Sequence, residues 1–233
     1  MTDPRPVALV TGATGGMGEE IVRDLARTHD VIAVGRRASS LEALGRIDGV
    51  TTWTLELTDT AAFAPLVETL HRLDVLVHGA AIADPGRVDE ASAEQWTTQL
   101  TTNVVAPAVL TGLVLPLLRA SAGTVVFIGS GAGTRPVPGN VVYSASKHAL
   151  RAVADVLRID EEASRIRVVT VAPGQTDTAM QRQLVDYAGG EYERERYITP
   201  ASVAEVVRFV VDAPADVQLT DIAVRPRVEI RRL

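Results

Sequence analysis

The chain has no cysteine, which excludes disulfides, thiolate nucleophiles and every zinc site that needs a sulfur ligand. Aromatic residues make up only 4 % of it, with four tyrosines among them. Lysine is nearly missing: of 23 basic residues, only Lys147 is a lysine. A genome that favours arginine codons accounts for the scarcity. It does not account for the survivor lying four residues after Tyr143.

Positive charge is also in deficit. The 29 acidic residues exceed the 23 basic ones, giving a formal net charge of −6, so no nucleic-acid partner is expected unless the arginines gather on one face. Charged residues reach 22 % without like-charge blocks, and the 46 % hydrophobic content of 233 residues supports a sizeable core rather than disorder. The first residues, with Asp3, Pro4 and Arg5, do not read as a signal peptide, so none is expected, and the expected location is the cytoplasm. The four histidines have no metal-ligand spacing, so no metal site is expected.

The one long uncharged run, residues 95–118, could span a bilayer by length, yet it holds Asn103, Pro107, Gly112 and Pro116. It reads better as a helix with one face on a sheet and the other on a neighbouring helix or subunit, with no membrane partner.

What is present alternates. Short apolar, β-branched runs at residues 7–10, 31–34, 51–57, 75–77, 124–128, 167–171 and 222–224 read as strands. Helical patterns lie between them, at 18–27, 61–70 and 143–163 among others. Strands apolar without alternation, separated by helices, predict an α/β fold: one doubly wound, mostly parallel seven-stranded sheet, Rossmann-like, with helices on both faces. No repeat or linker interrupts residues 1–233, so one domain is expected. Ligands of such a sheet bind beyond the carboxyl ends of its strands.

The motifs sit there. The first strand runs into Thr11-Gly12-Ala13-Thr14-Gly15-Gly16-Met17-Gly18, and a helical pattern follows. Glycines allow the tight turn and the close approach of a pyrophosphate, and the helix start offers unpaired N–H groups to it. A P-loop is excluded because its lysine is missing. The second strand ends in Gly35-Arg36-Arg37, where a carboxylate would bind the ribose 2′-hydroxyl of NAD. Two guanidinium groups suit a 2′-phosphate instead, which favours NADP(H) over NAD(H); a solvated arginine pair is the alternative.

Tyr143 and Lys147 share one helix face at i,i+4 spacing. A free phenol titrates near 10. A cation roughly 5 Å away, at an effective dielectric near 20, favours phenolate by about 3 kcal/mol, or roughly two pH units. Such a group would serve as a proton-transfer catalyst, and Ser130, just after the strand at 124–128, would hydrogen-bond the substrate oxygen beside it. No G-x-S-x-G frames Ser130, so a hydrolase is not indicated.

Together these residues resemble the short-chain dehydrogenase/reductase family, in its compact single-domain branch. Thr11–Gly18 matches its T-G-x-x-x-G-x-G, Tyr143 to Lys147 its Y-x-x-x-K, and Ser130 its catalytic serine. Asn103, 27 residues before Ser130, matches the fourth catalytic residue, which holds a water linking the lysine to solvent. The stretch Pro173-Gly174-Gln175-Thr176-Asp177-Thr178 resembles the family's P-G-x-x-x-T, in which the threonine contacts the nicotinamide carboxamide. The resemblance implies cofactor contacts from Gly12, Thr14, Gly16, Met17, Gly18, Arg36, Arg37, Leu57, Ala80, Tyr143, Lys147, Pro173, Gly174, Thr176 and Thr178. Lys147 would bind the nicotinamide ribose. A small-molecule carbonyl or alcohol substrate is implied, as is a homodimer or homotetramer.

Three departures stand out. His78-Gly79-Ala80-Ala81 replaces the family's N-N-A-G, and Glu56 stands where an aspartate usually precedes the adenine contact. The glycine turn also fits the T-G-x-x-G-x-x-G of longer epimerase-like relatives, whose extra substrate domain a 233-residue chain lacks room for. A non-catalytic NADP(H)-binding regulator and an epimerase or dehydratase with retained cofactor are the alternative functions. Residues 179–199, rich in arginine and holding Gly189-Gly190, form either a substrate lid or a solvated helix–loop. The ending after Asp221, with Arg225, Arg227, Arg231 and Arg232, is expected to pack across a subunit boundary. It loosely resembles relatives acting on 3-hydroxy acids such as serine, without fixing a substrate.

Overall fold

Seven strands, β1 (Val7–Thr11), β2 (Asp30–Gly35), β3 (Val50–Thr54), β4 (Val75–His78), β5 (Thr124–Ile128), β6 (Arg167–Pro173) and β7 (Asp221–Val224), pair in the order β3-β2-β1-β4-β5-β6-β7. Every pairing is parallel. The computed structural model describes residues 4–228; the final arginines at 231 and 232 lie outside them, so the expected packing of the tail has no structural counterpart here.

Central strands are buried on both faces, which is why their sequences do not alternate. One face packs α1 (Gly16–Leu25), α2 (Ala38–Leu44) and α8 (Pro200–Val211) through Ile21, Leu25, Leu41 and Val207. The other packs α5 (Ala106–Ser121) and α6 (Val141–Asp160) through Leu110, Val114, Leu118, Leu150 and Ala154. The chain order reverses between β1 and β4, and the crevice opens at that switch.

Three local readings change. The strand expected at 51–57 closes at Thr54, and Leu55 and Leu57 continue as buried loop residues. The helix expected at 61–70 shrinks to a 3₁₀ turn (Thr60–Ala62) and α3 (Phe63–Val67). The uncharged run is the third. It divides into α4 (Ala93–Leu100), a π-helical turn (Thr101–Val105) and α5, giving one helical rod long and apolar enough to cross a membrane. Here it lies on the sheet, with Val105, Val109 and Leu113 on its outer side 44, 37 and 36 % exposed. The 179–199 segment holds α7 (Ala179–Tyr187) and a short 3₁₀ turn at Arg194–Arg196.

Candidate active site

The glycine turn forms the floor of a cleft of about 430 Å³. Gly12 has φ +69°, and a Cβ there would lie 2.5 Å from the Ala80 nitrogen; a Cβ on Gly18 would lie 2.2 Å from the Gly12 carbonyl oxygen. Only hydrogen fits at either position, and the turn is held against the segment after β4 with α1 starting at its edge. Thr14, Gly16, Met17, Leu57, Ala80 and Thr178 line the same cleft, as do Arg36 and Arg37 at one end and Tyr143 and Lys147 at the other. These dimensions and donors fit a dinucleotide with its pyrophosphate on the start of α1.

At the outer end Arg36 Nη1 pairs with Glu56 Oε2 at 3.0 Å, and Arg37 donates to the Thr14 carbonyl. Glu56 Oε1 also accepts from the Thr58 N–H at 3.2 Å. Burial pushes the Glu56 carboxyl up, but the hydrogen bonds from Arg36 and Thr58 outweigh it and hold the group below its ordinary range.

At the inner end α6 carries Tyr143 and Lys147. The Lys147 ammonium lies 5.7 Å from the centre of the Tyr143 ring, close to the separation expected from their spacing. Its electrostatic effect differs from expectation. Burial pushes the phenol above its ordinary value, and a hydrogen bond to Ser130 only offsets this in part. Lys147 is almost fully buried, donates to the Ile128 carbonyl at 2.9 Å, and is brought down to about 8 by desolvation. Both groups are thus drawn toward their neutral forms, because removal from water penalises phenolate and ammonium alike.

Ser130 caps a 3₁₀ turn, Gly131–Gly133, by accepting from the Ala132 N–H at 3.1 Å. It lines a second, larger cavity of about 630 Å³ on the α6 side of β6 and β7, which shares Gly129 and Lys147 with the cleft.

Asn103 is placed in the π-helical turn, and its side chain does not line the cleft; its neighbour Thr102 does. Its amide accepts from the Ile82 N–H, donates to the Ile82 carbonyl, and donates to Ser146 Oγ at 3.0 Å. Pro173, Gly174 and Thr176 also stand off the cleft. They fix the turn after β6: Gly174 N–H donates to Val224 O at 2.7 Å and Thr176 Oγ1 donates to Gly174 O at 3.1 Å. Thr178 caps α7 by accepting from the Gln181 N–H at 3.2 Å.

A model of the short chain dehydrogenase family matches residues 6–188. The chain belongs to that family. An NADP-dependent 3-hydroxy acid dehydrogenase of Salmonella typhi is 35 % identical over 236 residues, covering 94 % of each chain. The crystal structure of serine dehydrogenase from Escherichia coli superposes with a TM-score of 0.81 at 31 % identity, over 93 % of this chain and 96 % of that one. A putative NAD(P) dependent gluconate 5-dehydrogenase from Beutenbergia cavernae with bound NADP superposes with a TM-score of 0.87 at 26 % identity, over 96 % of both.

Compared with the motifs of the short-chain dehydrogenases, the segment at His78–Ala81 is explained by packing. His78 stacks on Phe127 with ring centroids 4.9 Å apart, and its Nε2 bonds Thr111 Oγ1 at 2.8 Å. Burial lowers this imidazole to about 3, so it stays neutral and structural. Sequence reasoning missed Gln99, fully buried, whose amide bonds both the N–H and the carbonyl of Asp84. Gln99 and Asn103 together strap the loop after β4 at alternate residues, while Gly86 pairs with Gly139 and Val141 at the start of α6. Four-residue spacing on an uncharged helix was the available signal. The arginine-rich segment is tied down as well: Asp177 pairs with Arg182 at 3.0 Å and Arg194 at 2.7 Å, and accepts from the Tyr192 hydroxyl at 2.6 Å.

Proposed function

We propose that this chain is an oxidoreductase that moves a hydride between NADP(H) and a small carbonyl or secondary alcohol, with Tyr143 exchanging the proton. The observation that carries this reading is the pairing of Tyr143 and Lys147 at the inner end of a glycine-floored cleft that ends in Arg36 and Arg37, with Ser130 hydrogen-bonded to Tyr143 from the adjoining cavity. NADP is favoured by those arginines and by the NADP-dependent names of the relatives. When bound, the cofactor supplies the hydride at its nicotinamide ring.

The residues do the rest. The raised Tyr143 phenol holds its proton at neutral pH and can give it to an oxygen that gains negative charge, while Ser130 hydrogen-bonds the same oxygen. Lys147 binds the nicotinamide ribose hydroxyls and, as an ammonium beside the ring, lowers the cost of the phenolate left behind. Asn103 acts by position, since its amide is committed to Ile82 and Ser146. Residues 179–199 close over the substrate, anchored at Asp177. The exposed Val105 in the π-helical turn and Val109 and Leu113 on α5, with Val156 and Ile159 on α6, meet a second copy in a homodimer or homotetramer. The whole chain acts as one catalytic unit in the cytoplasm.

The test is a carbonyl and alcohol panel with absorbance and product analysis. One carbonyl reduced per NADPH oxidised supports the proposal. Product formed without net NADPH change indicates an epimerase or dehydratase, and nucleotide binding without turnover on any substrate indicates a regulator.

A further inference from the structure

We propose that Glu56 is a built-in brake on recognition of the 2′-phosphate, so that dinucleotide preference is set by the balance of Glu56 against Arg36 and Arg37. This rests on the reading of those arginines as the 2′-phosphate site.

All three side chains line the same end of the cleft, between Thr14 and Leu57. Their circumstances differ. Among the described residues Arg37 has no acidic partner and faces the neutral Thr14 carbonyl. Arg36 faces the Glu56 carboxylate at 3.0 Å. A phosphate arriving between them therefore meets a net charge of one guanidinium rather than two, with a carboxylate beside the nearer donor.

Glu56 is 44 % exposed, and both of its oxygens are engaged. Its second oxygen is held by the Thr58 N–H at 3.2 Å, in the turn that follows β3. An aspartate, one methylene shorter, would keep the charge but reach less far toward Arg36. Arg36 has five donors and can serve carboxylate and phosphate together, so the brake weakens the site without abolishing it. A neutral 2′-hydroxyl does not feel the repulsion, so the penalty falls on the phosphorylated dinucleotide alone.

The variants are Glu56→Gln, which keeps the side-chain shape and one acceptor oxygen while removing the charge, and Glu56→Asp, which keeps the charge. The probes are 2′,5′-ADP and 5′-AMP, titrated calorimetrically into the full chain at low salt, with melting curves to confirm folding. The expected result for Glu56→Gln is 2′,5′-ADP bound roughly three- to tenfold more tightly, with 5′-AMP changed less than about twofold. The gain should shrink as salt is added, and Glu56→Asp, which keeps the charge at a longer reach, should gain less than Glu56→Gln. Unchanged or weaker 2′,5′-ADP binding in Glu56→Gln, or equal tightening of both probes, would overturn the proposal. The underlying reading is tested separately by the wild-type chain. If it prefers 2′,5′-ADP and Glu56→Gln shows no gain, the brake falls and the phosphate site stands. If it binds both probes equally and only Glu56→Gln gains, the brake stands and the wild-type preference falls.

Discussion

Asn103 holds both backbone groups of one residue: its Oδ1 accepts from the Ile82 N–H at 2.9 Å and its Nδ2 donates to the Ile82 carbonyl at 2.9 Å. The same Nδ2 reaches Ser146 Oγ, which itself donates to the Tyr143 carbonyl at 2.8 Å. The β4 loop is thereby linked to the helix turn that carries Tyr143. Asn103→Ala leaves the two Ile82 groups unpaired, at ~1–3 kcal/mol each, so an overall loss of ~2–6 kcal/mol is expected in denaturant unfolding. Ser146→Ala should lose ~1 kcal/mol. A double-mutant cycle should show coupling between the two, because they share one hydrogen bond.

Lys147 gives a pH signature in stability. Its native value of about 8 lies below the ordinary value of an unfolded lysine, so between them the unfolded chain binds more protons than the native one. This group's contribution to stability therefore rises with pH from about 8 to about 10.4, and at pH 7 the buried ammonium costs about 3 kcal/mol. Lys147→Met removes that cost and the ~1 kcal/mol hydrogen bond to Ile128. The variant should melt roughly 4–8 °C higher at pH 7, lose that advantage near pH 10, and be inactive.

His78 acts at the other end of the pH scale. With a native value of about 3 against about 6.5 unfolded, its contribution is intact above pH 6.5 and is lost as pH falls toward 3. At pH 4 the loss is ~3 kcal/mol. His78→Asn, which restores the residue type usual in the family motif, should flatten the acid limb of a stability-against-pH curve measured by urea unfolding.

The fold was legible because the strands are apolar runs and the motifs fall directly after them. Thr124–Ile128 was delimited to the residue, being β-branched or aromatic throughout and closed by Gly129. Leu55 and Leu57 misled because a loop over a crevice buries side chains as well as a strand does. Pro65 and the short apolar repeat kept α3 to five residues where a longer helix was expected. The cleft residues were legible through glycine and i,i+4 spacing. The phenol's direction of titration was not, because it depends on burial, which pairwise spacing does not encode. The Glu56–Arg36 pair was likewise hidden, joining positions 20 residues apart through β2–β3 adjacency.

The most direct test is Tyr143→Phe, assayed for NADPH oxidation on a carbonyl the wild-type chain reduces, with NADPH affinity measured separately. Loss of the hydroxyl alone should lower kcat by about 10²–10⁴, the usual worth of a positioned acid, with cofactor affinity within about twofold. A variant that binds NADPH normally and turns over at the wild-type rate would contradict the assignment of Tyr143 as the proton carrier.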